Sequence, residues 1–432
     1  MTMNRRSFIK LMGAATGVGL AGAPFIASAA EILPKKGRRV VVVGGGYGGA
    51  IVAKYIRMND PSIEVVLIDR DKTFISCPFS NLVIGGIRDI KENTLTREGL
   101  ASNHGVKLVY DEVTAVDTAA QKVIMNGGTL SYDRLVLSPG IDFRFEEIEG
   151  YDAVETPKVM PHAWKAGEQT LRMRKQLEDM KDGGTVVFSI PVTPFRCPPG
   201  PYERISMVAM YLKQHKPKSR IIALDANPDI VSKGGLFRKA WTKHYGFDPK
   251  DVSKGFISYQ NNQKVSKIDM KKRSVDTGVE EFAGDVVCLV PPQKAGLIAH
   301  KAGVVGEDKK WCPVNQMTFE STLAKNVHVI GDACSAGAMP KSGYSANSQA
   351  KVAALNIVQL MNDKELIDPS HVNVCYSYIA EKEAVTVSAV YKVAEGKTIA
   401  VPNSGGVSPD LSELEAIYGR SWIKNILAEM ST

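Results

Sequence analysis

Apolar residues in this chain gather into short unbroken runs, separated by polar or glycine-rich turns and by longer segments of mixed character. Val40-Val41-Val42-Val43 places four β-branched residues in a row, the mark of a strand buried on both faces. Similar runs follow at Glu64–Asp69, Arg134–Leu137, Gly184–Pro191, Arg220–Asp225, Asp285–Val290 and Asn326–Ala333. Helix-length segments lie between or after them, at Tyr202–Lys216 and Ser342–Met361, and Pro161 to about Lys181 reads as a linker and a polar helix. Lys107–Tyr110 and Lys122–Met125 read as strands of a small accessory sheet. Near the end, Val372–Ser377 and Ala384–Val390 are strand-like, and Leu411–Met430 reads as an amphipathic helix with Tyr418, Trp422 and Ile426 on one face. That stripe suits a core or subunit contact, because its polar side lacks the basic residues of a membrane-surface helix.

The turn after the first strand adds chemistry. Gly44, Gly46 and Gly49 form G-x-G-x-x-G between a strand and a helix start. In that setting the first glycine allows the tight turn, the second admits a pyrophosphate to the backbone, and the third lets helix and strand pack closely. The helix directs its free N–H groups and positive dipole end at the phosphates. Asp69 closes the second strand, where a carboxylate accepts the ribose hydroxyls of an adenine dinucleotide. A second unit of the same outline opens at Gly184, but its turn reads Pro191-Val192-Thr193-Pro194-Phe195-Arg196-Cys197-Pro198-Pro199-Gly200-Pro201. Prolines bring no N–H to a phosphate, and their rings obstruct close approach, so a nicotinamide dinucleotide is not expected there.

The expected fold is therefore α/β, with two Rossmann-like dinucleotide-binding domains, the second inserted in the first, and a C-terminal α+β interface domain. The boundaries are 1–30 for a leader, 31–150 and 291–362 for the first domain, 151–290 for the second and 363–432 for the last. The leader carries Arg5-Arg6 before Phe8 and Lys10, a mildly apolar Gly/Ala-rich stretch and the small-residue site Ala27-Ser28-Ala29. It reads as a twin-arginine signal rather than a membrane anchor, which predicts export of the folded chain to the periplasm and no integral membrane segment in the mature protein. The net charge of +8 falls to +5 without Arg5, Arg6 and Lys10, and the basic residues are scattered. That distribution argues against nucleic acid as a partner. The six cysteines fit no zinc spacing, and no C-x-x-C-H is present to attach a haem.

Three segments make the chain resemble a known family: Phe74-Ile75-Ser76-Cys77-Pro78, Phe195-Arg196-Cys197-Pro198-Pro199-Gly200-Pro201-Tyr202-Glu203 and Val374-Cys375-Tyr376. With the glycine turn and Ile330-Gly331-Asp332-Ala333, they resemble the flavoprotein subunit of flavocytochrome c sulfide dehydrogenase, within the two-dinucleotide-domain flavoproteins. The resemblance implies that FAD is held by Gly44, Gly46, Gly49, Asp69 and Asp332, and joined covalently to Cys77. It implies a redox disulfide between Cys197 and Cys375 beside the flavin, with Glu203 as an acid/base group. Sulfide would be the substrate, and a separate c-type cytochrome subunit, carrying haem c, would form a heterodimer and take the electrons. The helix after Lys341 would then aim its N-terminus at the flavin pyrimidine. Two rival readings remain: a sulfide:quinone oxidoreductase, and a non-catalytic flavin-carrying subunit of a sulfur-oxidising system. Cys288, Cys312 and Cys334 are left without a role, and two of them could pair.

Overall fold

The computed structural model describes residues 30–432, so the twin-arginine leader falls outside the described residues. The valine run forms the strand Arg39–Val43 at the centre of a five-stranded sheet. From edge to edge the order is Val327–Val329, Arg134–Leu137, Arg39–Val43, Glu64–Asp69 and Lys107–Tyr110, every neighbouring pair parallel. The helix Gly49–Asn59 packs on Gly343–Met361 and on Glu98–His104, and the strand Gly128–Ser131 contacts the central strand Arg39–Val43. That enclosure is why the valines carry no polar alternation: Val40, Val41 and Val42 are wholly buried.

Lys107–Tyr110 belongs to this sheet, as its edge strand beside Glu64–Asp69, and not to an accessory sheet. The short helix Glu98–His104 ahead of it supplies the crossover that a parallel neighbour requires. The accessory sheet is built from Val113–Asp117, Lys122–Met125 and Gly128–Ser131.

A second parallel sheet runs Ile257–Gln260, Arg220–Asp225, Thr185–Ile190 and Val286–Leu289. Its strands lie in sequence between Arg134–Leu137 and Val327–Val329, which both belong to the first sheet. The helix Gly200–His215 comes after the proline-rich turn and is buried along most of its length.

The C-terminal region pairs Ser370–Tyr378, Ala384–Ala394 and Lys397–Ala400 antiparallel, with the helix Glu413–Ser431 against them. The expected stripe on that helix divides. Ile426 is buried and Trp422 packs among Phe79, Tyr344 and Tyr376, whereas Tyr418 is exposed. The inward face is Ala416, Gly419, Ile423, Ile426 and Met430. Gly419 sits there because a Cβ would come within 3.3 Å of Tyr376. The polar helix runs from Glu168 to Asp179, and several residues of the linker before it line a large cavity.

Candidate active site

That cavity, of about 970 Å³, runs from the glycine turn to the proline-rich loop. At its first end the three glycines meet the demands of their motif. Gly44 has φ of +94°, and a Cβ there would lie 2.4 Å from the Ser138 carbonyl oxygen. At Gly49 a Cβ would fall 1.7 Å from the Gly44 oxygen, so helix and turn approach as closely as backbone allows. Gly46 lines the cavity and has only the Phe74 ring near a virtual Cβ. No side chain caps the helix Gly49–Asn59 and no acid lies in its first turn, which leaves its N–H groups for an anion.

Asp69 lies at the cavity wall and does a second job. Its Oδ2 accepts from the Gly45 N–H at 2.7 Å and from Arg97 at 3.0 Å, and Oδ1 accepts from the Asp71 N–H at 3.0 Å. Arg97 also donates to the Gly45 and Asp71 carbonyls, so this buried guanidinium fastens the glycine turn to the second strand. Sequence reasoning missed Arg97, since an arginine between Thr96 and Glu98 carries no local signal.

Further along, Asp332 stands in a single 3₁₀ turn, Gly331–Ala333. Its carboxyl is buried, and burial raises its pKa against the opposing pull of Arg196 and Lys341. Oδ1 has no hydrogen-bond partner within the protein. A buried, unpartnered carboxylate oxygen is costly unless something else satisfies it. The hydroxyls of a flavin's ribityl chain would do so. The helix Gly343–Met361 begins at the same wall, with Ser342 as its N-cap accepting from the Ser345 N–H. Glycine turn, uncapped helix, Asp69 and the orphaned Asp332 together fit FAD in size and donor set.

Cys77 lies on the cavity wall, half-buried, with its Sγ 3.5 Å from the Trp164 carbonyl oxygen. Trp164 comes from the non-helical segment before Glu168 and donates its indole N–H to the Arg196 carbonyl at 3.3 Å. The Arg204 guanidinium lies 4.7 Å from the centre of its ring. The aromatic wall was not foreseen, because a tryptophan in a linker carries no local signal of what it will face.

Cys197 and Cys375, far apart in sequence, meet at the other end of the cavity. Both are free thiols that line the same cavity, near enough for each to perturb the ionisation of the other. Cys197 has φ of +57°, its N–H donates to the Lys341 carbonyl at 2.7 Å, and its own carbonyl accepts from the Gly200 N–H at 2.8 Å. Cys375 sits mid-strand in Ser370–Tyr378, in register with Val387. A side-chain hydrogen bond with Cys375 holds the Cys197 thiol up, and burial adds to that. The same bond lowers Cys375, aided by the Lys233 ammonium and opposed by burial. Lys233 is buried and donates to the Cys375 carbonyl at 3.0 Å and the Ser377 hydroxyl at 2.8 Å. It too went unpredicted, because it reaches the site through the fold alone.

Glu203 is no ordinary exposed first-turn acid. It is 5 % exposed, accepts from the Tyr378 N–H at 2.9 Å and from the Asn81 side-chain amide at 2.7 Å, and lines the cavity. Burial raises its pKa, against the two hydrogen bonds and the charges of Lys233 and Arg204. A carboxyl whose pKa is raised by burial in this way is suited to proton transfer.

The corresponding place in the second unit offers no comparable cradle. Asp225 closes its second strand as Asp69 closes that of the first, but it is wholly buried. The hydroxyls of Tyr202 and Tyr259 donate to it at 2.7 and 2.8 Å, and the Asn227 N–H donates to it at 2.9 Å. Cys288 lies in this unit, buried, its sulfur 3.3 Å from Arg204, and is not among the residues lining the cavity.

The fold and cavity define a flavoprotein of the two-dinucleotide-domain class. Residues 38–180 match the model of the pyridine nucleotide-disulphide oxidoreductases. Residues 170–291 match the central region of the sulfide dehydrogenase [flavocytochrome c] flavoprotein chain, and residues 367–430 match the flavin-binding region of flavocytochrome c sulphide dehydrogenase. The chain is 61% identical over 46 residues to the sulfide dehydrogenase [flavocytochrome c] flavoprotein chain of Chlorobaculum thiosulfatiphilum, covering 96% of that sequence and 11% of this one. The chain belongs to this flavoprotein family. It is also 23% identical over 328 residues to the mitochondrial sulfide:quinone oxidoreductase of Dictyostelium discoideum, covering 74% of this chain and 70% of that one. In fold it resembles the sulfide:quinone oxidoreductase of Aquifex aeolicus, with a TM-score of 0.73, 18% identity and 91% of each chain covered.

Proposed function

We propose that the chain oxidises sulfide through a Cys197–Cys375 disulfide beside bound FAD and delivers the electrons to a c-type cytochrome subunit. The observation that carries this reading is that Cys197 and Cys375, 178 positions apart in the chain, line the same cavity as the glycine turn and Asp332. In the oxidised state the thiols have lost two protons and two electrons to form the disulfide. Hydrosulfide attacks one sulfur, an S–S bond forms to the incoming sulfur, and the original S–S bond breaks to release the other cysteine as thiolate. Bound FAD supplies an acceptor for an electron pair that can be passed on singly. The Lys233 ammonium favours the thiolate, and the Glu203 carboxylate takes the proton of the persulfide S–H. Cys77, on the cavity wall, is the proposed covalent anchor of the flavin. The twin-arginine leader supports a periplasmic location, and the absence of a haem-attachment motif supports a separate haem subunit.

A quinone acceptor is the second reading, favoured by the similarity to sulfide:quinone oxidoreductases over three-quarters of the chain. Among the described residues no helix is long and apolar enough to cross a membrane. One experiment separates the two. The flavin is reduced anaerobically with sulfide, then mixed with a c-type cytochrome recovered with the chain from periplasm, or with a short-chain ubiquinone. Rapid haem reduction with slow quinone reduction is expected, and the reverse would establish the quinone reading. Acid precipitation should leave the flavin in the pellet on a peptide containing Cys77; complete release to the supernatant overturns the covalent link.

A further inference from the structure

Two of the three unassigned cysteines are also neighbours. Cys312–Pro313 and Cys334–Ser335 form a short parallel strand pair in which Cys312 and Cys334 are direct register partners. Side chains at matched positions of adjacent strands leave on the same face, and the strands lie about 4.8 Å apart. That spacing falls within the Cα separation of disulfides, about 4.4 to 6.8 Å. Both side chains are buried, Cys312 completely. Cys288 is excluded from the pairing, because it lies in the second sheet against Arg204. Among the described residues no cluster of metal-ligating side chains occurs, so the pair is not part of a metal site.

The geometry points to a second disulfide, Cys312–Cys334, that does not turn over and that clamps the turn carrying Asp332. Cys334 comes directly after that turn. The Lys341 ammonium donates to the Asp332 and Cys334 carbonyls at 2.8 and 2.9 Å, and lies 3.6 Å over the Trp311 ring, next to Cys312. A bond between the sulfurs of Cys312 and Cys334, 22 positions apart, would therefore tie the turn carrying Asp332 to an earlier strand. It forms by exchange with a low-molecular-weight disulfide: the two thiols give up two protons and two electrons, and the incoming disulfide becomes two thiols. Burial pushes both thiols up to about 12, so neither is appreciably ionised at neutral pH. Exchange proceeds through local opening, and the finished bond is shielded from thiolates. The inference is independent of the sulfide reading.

The test uses the full chain incubated with oxidised glutathione, then denatured in N-ethylmaleimide without reductant, digested and weighed by mass spectrometry. A peptide linking Cys312 to Cys334 is expected. Maleimide or glutathione on both residues would overturn the proposal. In a second sample, sulfide is added before denaturation. One of Cys197 and Cys375 should then take maleimide directly and the other through its persulfide sulfur, while Cys312 and Cys334 stay linked; labelling of Cys312 and Cys334 as well would show that they turn over and would refute a fixed clamp. Against a Cys197→Ser/Cys375→Ser background, oxidation should still raise Tm by about 5 °C, as closing a loop of this length does. That shift should vanish when Cys312→Ser is added, and its persistence would locate the effect elsewhere.

Discussion

The two Rossmann-like units have the same strand–turn–helix plan and carry opposite turns. In the first, Gly44 takes φ of +94° and the backbone lies open to an anion. In the second, the turn is filled: Phe195 is buried and Cys197 is held by bonds to Lys341 and Gly200. The terminal acids diverge in the same way. Asp69 lines the cavity, whereas Asp225 is consumed by two tyrosines and an asparagine. One scaffold thus serves to bind a dinucleotide when its turn is bare backbone, and to position a sulfur when its turn is stiff and packed.

The sharpest way to break this contrast is to remove the sulfur. Cys197→Ser should fold and retain flavin, yet lose sulfide-dependent flavin reduction by at least about a thousandfold, as removal of a relay nucleophile does. Cys375→Ser should match it, while Cys288→Ser should be nearly silent. Wild-type bleaching by sulfide in either of the first two variants would end the disulfide reading. In the first unit the fragile element is the backbone itself. Gly49→Ala places a Cβ 1.7 Å from the Gly44 oxygen, so it should cost about 3 kcal/mol or more in denaturant unfolding and release flavin.

Glu203→Gln should slow flavin reduction by about a hundredfold, the usual range for a proton-transfer group. The pH profile carries the sign. Glu203 has a raised pKa and acts as base when ionised, so the wild-type rate should climb with pH through an ionisation above 4.5. The variant should lack that limb and keep only the one due to hydrogen sulfide itself; an unchanged profile would remove Glu203 from the mechanism. With NADH no effect is expected at all. It should leave the oxidised flavin spectrum unchanged on the timescale of bleaching by sulfide, because the turn from Pro191 to Pro201 has few N–H groups for a pyrophosphate. Prompt bleaching would show that the second unit still binds a nicotinamide.

Much of the fold was legible because its signals are local. Four valines bounded by a glycine turn specify a buried strand and the helix beyond it, and Gly-Asp after Ile330 marks the return to the first sheet. Lys107–Tyr110 was misplaced because four residues carry no information about which sheet they join; the crossover helix decides that. The cysteine contact could not be read from spacing and came only through family resemblance. Arg97, Trp164, Lys233 and Lys341 went unseen for a related reason. Each acts on backbone or ring atoms brought near by the fold, and no periodicity records such a reach.

The carboxylate of Glu203 accepts from Tyr378, 175 residues further along the chain. During synthesis the Cys197 loop and the glycine turn therefore emerge long before the strand that completes the pair. On the proposed mechanism, a growing chain presents Cys197 without its partner cysteine and Glu203 without the Tyr378 N–H, and could not perform the sulfur chemistry. On that reading competence would arrive with the last seventh of the polypeptide, all at once. A chain truncated before residue 370 should consequently be inert toward sulfide however well its earlier portion folds.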